Sequence, residues 1–168
     1  MVRFNVSSAL VLALAVGSSL SAAWWLNHLS GRGEARAAVV SPAMASGSAA
    51  QVLKAADGHY WTEAMIEGRA VRMMVDTGAS VVVLTPDDAA RIGLDLKPED
   101  FAATVMTAAG PVDAASVSLA SVSVAAARVE HVDALVVATG LPHSLLGMSY
   151  LGRLSRFEAT PDGLTLRP

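Results

Sequence analysis

Two apolar runs, Met73 to Val75 and Val81 to Leu84, enclose the short stretch Asp76-Thr77-Gly78-Ala79-Ser80. Runs this short and this rich in valine predict two strands, each buried on both faces, joined by a loop. Upstream, "GHYWTEAMIEGRAVRMMVD" predicts a hairpin that turns at Glu67-Gly68-Arg69. Downstream, "TPDDAARIGL" carries the punctuation of a short helix. Thr85 is suited to the N-cap, Pro86 to the first helical position, and Asp87 and Asp88 to the positive end. Gly93 then supplies a stop.

Beyond the helix the pattern returns to strand. From Ala102 to Val137, small polar residues alternate with Val and Leu. Val117 and Leu119 share one parity, Val122 and Val124 the other, so a turn or bulge is expected at Ala120-Ser121. Ala109-Gly110-Pro111 predicts another turn, and the strands it joins form a projecting hairpin. "SLLGMSYLGRL" reads as a strand ending at Gly147, then a short helix. "FEATPDGLTL" closes the chain as a hairpin around Pro161-Asp162-Gly163. Six or more strands with two short helices give a mostly β domain.

The first fifty residues have a different character. From Val6 to Leu26 nothing is charged, and Arg3 precedes the run. A membrane-spanning helix needs about 20 apolar residues, which this run supplies. A cleaved signal peptide also fits, with "ALVLALAV" as its core and small Ser21 and Ala23 at cleavage spacing. Trp24 and Trp25 favour an uncleaved anchor, because tryptophan prefers the membrane interface. Residues 1–26 are therefore read as a signal anchor or signal peptide. Residues 27–50, rich in Gly, Ala, Ser and Pro, are read as a flexible linker, and residues 51–168 as one folded domain of ordinary size.

Composition narrows the chemistry. The chain has 168 residues, 53% of them hydrophobic, and a net charge of -3, which gives no reason to expect nucleic acid as a partner. It has no cysteine, which removes disulfides, thiolate metal sites and a cysteine nucleophile together. The four histidines, His28, His59, His131 and His143, lack metal-ligand spacing. Ser144 and Ser149 have no Gly-x-Ser-x-Gly context, which counts against a serine hydrolase. Asp76 lacks the neighbouring lysine or second acid of a phosphorylated aspartate. It could still be a turn aspartate capping backbone N–H groups. A carboxylate between buried strands costs several kcal/mol unless paired or hydrogen-bonded, and that cost calls for a reason.

The combination of Val75-Asp76-Thr77-Gly78-Ala79-Ser80 with the later Leu145-Leu146-Gly147-Met148-Ser149-Tyr150-Leu151 resembles the retropepsin-like aspartic proteases, in particular the bacterial, membrane-tethered branch. The resemblance runs from about Gly58 to Leu166. It implies a closed β barrel or sandwich with one or two short helices, active as a homodimer. It also implies Asp76 as the catalytic carboxylate, supported by Thr77 and Gly78. Leu145, Leu146 and Gly147 would pack beside the catalytic loop. Ala79, Ser80, Ala109 and Gly110 would contact substrate, the last two from a flap. No metal or cofactor is called for.

The chain holds one Asp-Thr-Gly and is too short for two lobes. A pair of carboxylates therefore requires a second copy across a two-fold axis. The expectation is an exported aspartic endopeptidase acting on a polypeptide. It would sit in a bacterial inner membrane with its domain in the periplasm, or be released there after signal cleavage. A non-catalytic exported module that binds peptides on the same fold is the alternative. A third possibility is an enzyme that only matures itself, cutting between Asn27 and Ala50. Ala125-Ala126 departs from the family pattern, where a glycine turn is common.

Overall fold

The structure is a computed structural model that describes residues 44–107 and 110–168. The anchor expected over residues 1–26, most of the linker, and the flap-tip residues Ala108 and Ala109 lie outside the described residues. Among the described residues no helix is long and apolar enough to cross a membrane.

Ten strands are present among them: β1 (Ala50–Leu53), β2 (Trp61–Ile66), β3 (Arg69–Val75), β4 (Val82–Leu84), β5 (Ala103–Thr107), β6 (Gly110–Val124), β7 (Ala127–Val137), β8 (Ser144–Leu146), β9 (Arg156–Ala159) and β10 (Gly163–Arg167). Two short helices, α1 (Pro86–Arg91) and α2 (Met148–Leu151), and one 3-10 turn (Pro98–Asp100) complete it. Strands β2-β3-β8-β4-β7-β6 pair in that order, and β6 pairs back onto β2, so six strands close into a barrel. β5 hangs on β6 outside the ring, and β1-β10-β9 form a separate antiparallel sheet. The barrel is filled by fully buried apolar side chains, among them Val71, Met73, Leu84, Leu119, Val129 and Leu146.

The local signals explain most elements. The β2–β3 turn falls at Glu67 and Gly68, both with positive φ (49° and 77°), the conformation a two-residue hairpin demands. In α1, Thr85 accepts the Asp88 N–H with its side chain and Pro86 opens the helix. Gly93, at φ 92°, follows its C-cap. The C-terminal hairpin turns at Pro161-Asp162, with Thr160 N–H donating to Gly163 O at 2.8 Å.

Three features differ from the sequence reading. The run Met73 to Val75, expected to be buried on both faces, buries Met73 fully and Met74 and Val75 only in part, and earlier in β3 Val71 is buried while Ala70 and Arg72 are exposed. Of the turn or bulge expected at Ala120-Ser121, it is the turn that is absent. β6 runs through these residues, and the ladder to β7 skips the Ala120–His131 step, with His131 at φ 52°. The two groups that the kink frees find side chains: Ala120 N–H donates to the Glu67 carboxylate, and Arg153 donates to His131 O at 2.8 Å. Pairing also starts before Gln51. Ser46 exchanges two 2.8 Å backbone hydrogen bonds with Arg128 on β7, and β1 opens at Ala50.

Candidate active site

The Asp76 loop leaves β3 and returns into β4, and β8 is laid between those two strands. β8 runs parallel to β3, with Met74 opposite Leu145 and Val75 opposite Leu146, and antiparallel to β4 at Val83–Leu145. The backbone N–H of Asp76 donates to Leu146 O at 3.2 Å, so the last residue of β8 holds the loop where it begins. At its far end, Met148 N–H donates to Ala79 O at 2.8 Å. Leu145, Leu146 and Gly147 thus pack against the Asp76 loop from below. Gly147 is required by this packing, because a Cβ there would overlap the carbonyl oxygens of Val81 and Ala79.

Within the loop, Gly78 N–H donates to Asp76 Oδ1 at 2.8 Å. Ala79 N–H turns back to Asp76 O at 3.3 Å. The Asp76 side chain is half-buried, and Thr77, Gly78 and Ser80 are exposed. This carboxylate therefore faces outward from a rigid loop, and is not sealed in the core as its apolar flanks suggested. Gly110 stands at the turn end of the β5–β6 hairpin, paired with Thr107, whose hydroxyl donates to Gly110 O at 2.8 Å. Ala109, the other flap residue expected to touch substrate, lies outside the described residues.

Two supports went unread in the sequence. Ser149 Oγ accepts Val82 N–H at 2.9 Å and donates to Asp133 O at 2.7 Å, so it ties α2, β4 and β7 together behind the loop. Ser144 and Asp88 form a second tie between β8 and α1. No local motif marks either, since each joins residues remote in sequence. A cavity of about 570 Å³ lies to the side, lined by Asp57, Trp61, Arg72, Asp88, Arg91 and His143 among others. Asp76 is not one of its lining residues. There the Trp61 indole N–H donates to Asp57, His143 packs edge-on against the indole, and Arg72 lies over it. The Asp57 carboxyl is held below its ordinary range by the His59 backbone N–H and the Trp61 indole N–H.

Residues 62–153, from β2 through α2, match the family model described as gag-polyprotein putative aspartyl protease. The chain belongs to the retropepsin-like aspartic protease family. It is 34% identical to a retropepsin-like aspartic protease from Rickettsia conorii whose crystal structure superposes with a TM-score of 0.65, covering 73% of this chain and 92% of that one. It is also 44% identical over 115 residues to an uncharacterised Sinorhizobium protein encoded 5′ of cobV. An uncharacterised protein of Rickettsia prowazekii (strain Madrid E) is 36% identical over the same length. Both alignments cover 68% of this chain and 49% of the relative, so the match spans about half the length of these curated relatives. The hydrogen bonds to Leu146 and from Gly78 describe how this chain braces its Asp76-Thr77-Gly78 loop, which lies within the matched residues.

Proposed function

We propose that the chain is an exported aspartic endopeptidase in which Asp76 from two subunits forms the catalytic pair. The observation that carries this reading is the Asp76 carboxylate itself. It is held outward on a braced loop, one oxygen already bound by Gly78 N–H, in a chain with one Asp-Thr-Gly. Two such carboxylates across a two-fold axis share one proton, because adjacent like charges cannot both ionise. The ionised member takes a proton from a bound water as its oxygen attacks the peptide carbonyl carbon. The protonated member gives its proton to the carbonyl oxygen. Collapse of the resulting diol, with a proton passed to the amide nitrogen, breaks the C–N bond.

The substrate would be a polypeptide lying as an extended strand between the two Asp76 loops and the β5–β6 hairpins. Such a strand is recognised largely through its main chain. Ala79, Ser80, Ala109 and Gly110 are the contacts assigned to it, and Thr77 would brace the partner's loop. Residues 1–26 would anchor the protein in a bacterial inner membrane with the domain in the periplasm. A tether of that kind raises the local concentration of subunits and favours pairing.

The test is cleavage of a diverse peptide library between about pH 4 and pH 7, the range in which a shared-proton pair operates. Asp76→Asn runs beside the wild type. Cleavage by the wild type and none by the variant is the expected result. A folded, dimeric wild type that cuts nothing in trans overturns the endopeptidase. A self-maturing enzyme remains if its own chain is cut between Asn27 and Ala50, and a peptide-binding module if it is not.

A further inference from the structure

Alternate residues of a strand face the same way. On β3, Val71 and Met73 turn into the barrel, so Arg72 and Met74 leave by the other face. Asp76 follows in the same phase, one residue beyond the strand. Met74 is paired with Trp61 on β2 and with Leu145 on β8, and all three are half-buried. They make an apolar row across three strands, set between Asp76 and Arg72. Beyond that row lies the cavity of about 570 Å³, an ordinary volume for a ligand site. Trp61 and Arg72 line it together with His143, which stands two residues before Leu145.

The charges around the cavity are unevenly committed. Asp57 takes the His59 N–H on one oxygen and the Trp61 indole N–H on the other. Asp88 takes the Arg91 guanidinium on one oxygen and the Thr85 and Ser144 hydroxyls on the other. Asp87 is exposed on the first turn of α1. Arg72 is different. Glu63 stands opposite it on β2, yet among the described residues Arg72 makes no ion pair. Its guanidinium lies over the Trp61 ring, 4.8 Å from the centroid. The indole is itself held, by Asp57 at 2.8 Å and by the His143 ring packed edge-on at 4.8 Å. A guanidinium stacked on a fixed ring keeps its N–H fork pre-organised, and that fork matches a carboxylate taken by two parallel hydrogen bonds.

Strand geometry sets where such a carboxylate would come from. Arg72 is four residues from Asp76, about 13 Å along extended chain. An extended substrate covers the same distance in roughly four residues. We infer that Arg72, seated on Trp61, binds the carboxylate of an aspartate or glutamate in the substrate, roughly four residues from the bond that is cut. A two-fold pair of subunits repeats the site on both sides of that bond. The inference rests on the endopeptidase reading above and names its substrate class: polypeptides with an acidic residue set away from the cleavage point.

The test gives a diverse peptide library to the full chain in detergent and aligns the products on their new ends. The expected result is enrichment of Asp and Glu at that distance from the cut. In one such peptide, replacing the acid by its amide should lower kcat/KM about tenfold, chiefly through KM. Arg72→Gln should abolish the discrimination between the two peptides. Arg72→Glu should reverse it in favour of lysine at that position, which a merely structural role would not do. Cleavage without acidic preference, or with the same preference in Arg72→Glu, overturns the site and leaves the endopeptidase standing. Equal cleavage of acid and amide peptides, with inhibition by free succinate that Arg72→Gln removes, overturns the substrate assignment and puts a free carboxylate in the cavity. A wild type that cuts nothing overturns the endopeptidase reading, and the site is then decided by retention of the library on the immobilised chain. Acidic peptides held by the wild type and released by Arg72→Gln support it; none held overturns it.

Discussion

The Ser144 hydroxyl donates a 2.6 Å hydrogen bond to Asp88 Oδ2 and accepts Thr85 N–H at 3.1 Å. Ser144 is fully buried, and Asp88 also takes Thr85 Oγ1 and the Arg91 guanidinium. The first residue of β8 is thereby fastened to the first turn of α1. Ser144→Ala leaves the Thr85 N–H without its acceptor, a loss of about 1–3 kcal/mol. Urea unfolding should show that loss. Cleavage per folded molecule should hold, because the Asp76 loop is braced from Leu146 and Met148 instead.

Gly147 offers the opposite case, in which stability and activity fall together. An alanine Cβ would overlap the Val81 and Ala79 carbonyl oxygens, which are backbone atoms that cannot swing away. Gly147→Ala should cost about 3 kcal/mol or more, the upper range for forced overpacking. A lowered Tm with loss of cleavage is the expected pair of results, and an unchanged Tm would mean that the close approach is not needed.

Ala125 sits in the β6–β7 turn at φ 47°, a conformation that costs an L-residue about 1–2 kcal/mol. Glycine removes that cost and gives back about 0.4–1 kcal/mol through the freer unfolded chain. Ala125→Gly should therefore raise stability by up to about 1.5 kcal/mol, seen as a higher urea midpoint at constant slope.

Alkaline pH tests the core through Tyr150. Its ring is fully buried, its hydroxyl donates to Ala127 O at 2.9 Å, and burial pushes its pKa from 10.0 up to about 12. The unfolded chain releases this proton near pH 10, while the folded one keeps it. Stability contributed by the neutral phenol is complete below pH 10 and is lost as pH rises to about 12. The stability advantage of wild type over Tyr150→Phe should shrink across that window by about 2–3 kcal/mol. A constant difference from pH 9 to pH 12 would mean that the phenol is not held neutral.

The sequence made the local devices readable because each is written in adjacent residues. Thr85-Pro86 opens α1, Glu67-Gly68 turns β2 into β3, and Pro161-Asp162 turns β9 into β10. Asp76-Thr77-Gly78 with Leu145-Leu146-Gly147 located the loop and what lies beneath it. Closure was not readable in this way. β6 meets β2 through Val124 opposite Ala64, a pairing with no marker in either strand. The change of parity left a turn and a bulge both open, and β6 takes the second; its kink is held by partners remote in sequence, Glu67 and Arg153, which no local pattern marks. The exposure of Asp76 was misjudged because its apolar flanks belong to the barrel, while the loop rises above it.

Ser46 has a mechanical consequence. Before the chain enters β1, it is clamped to β7 by the paired Ser46–Arg128 hydrogen bonds, with Gly47 pressed against Ala126 where no side chain would fit. Tension arriving from upstream residues therefore meets the barrel wall first and leaves β1 unloaded. The small sheet is loaded only after the Ser46–Arg128 hydrogen bonds have given way.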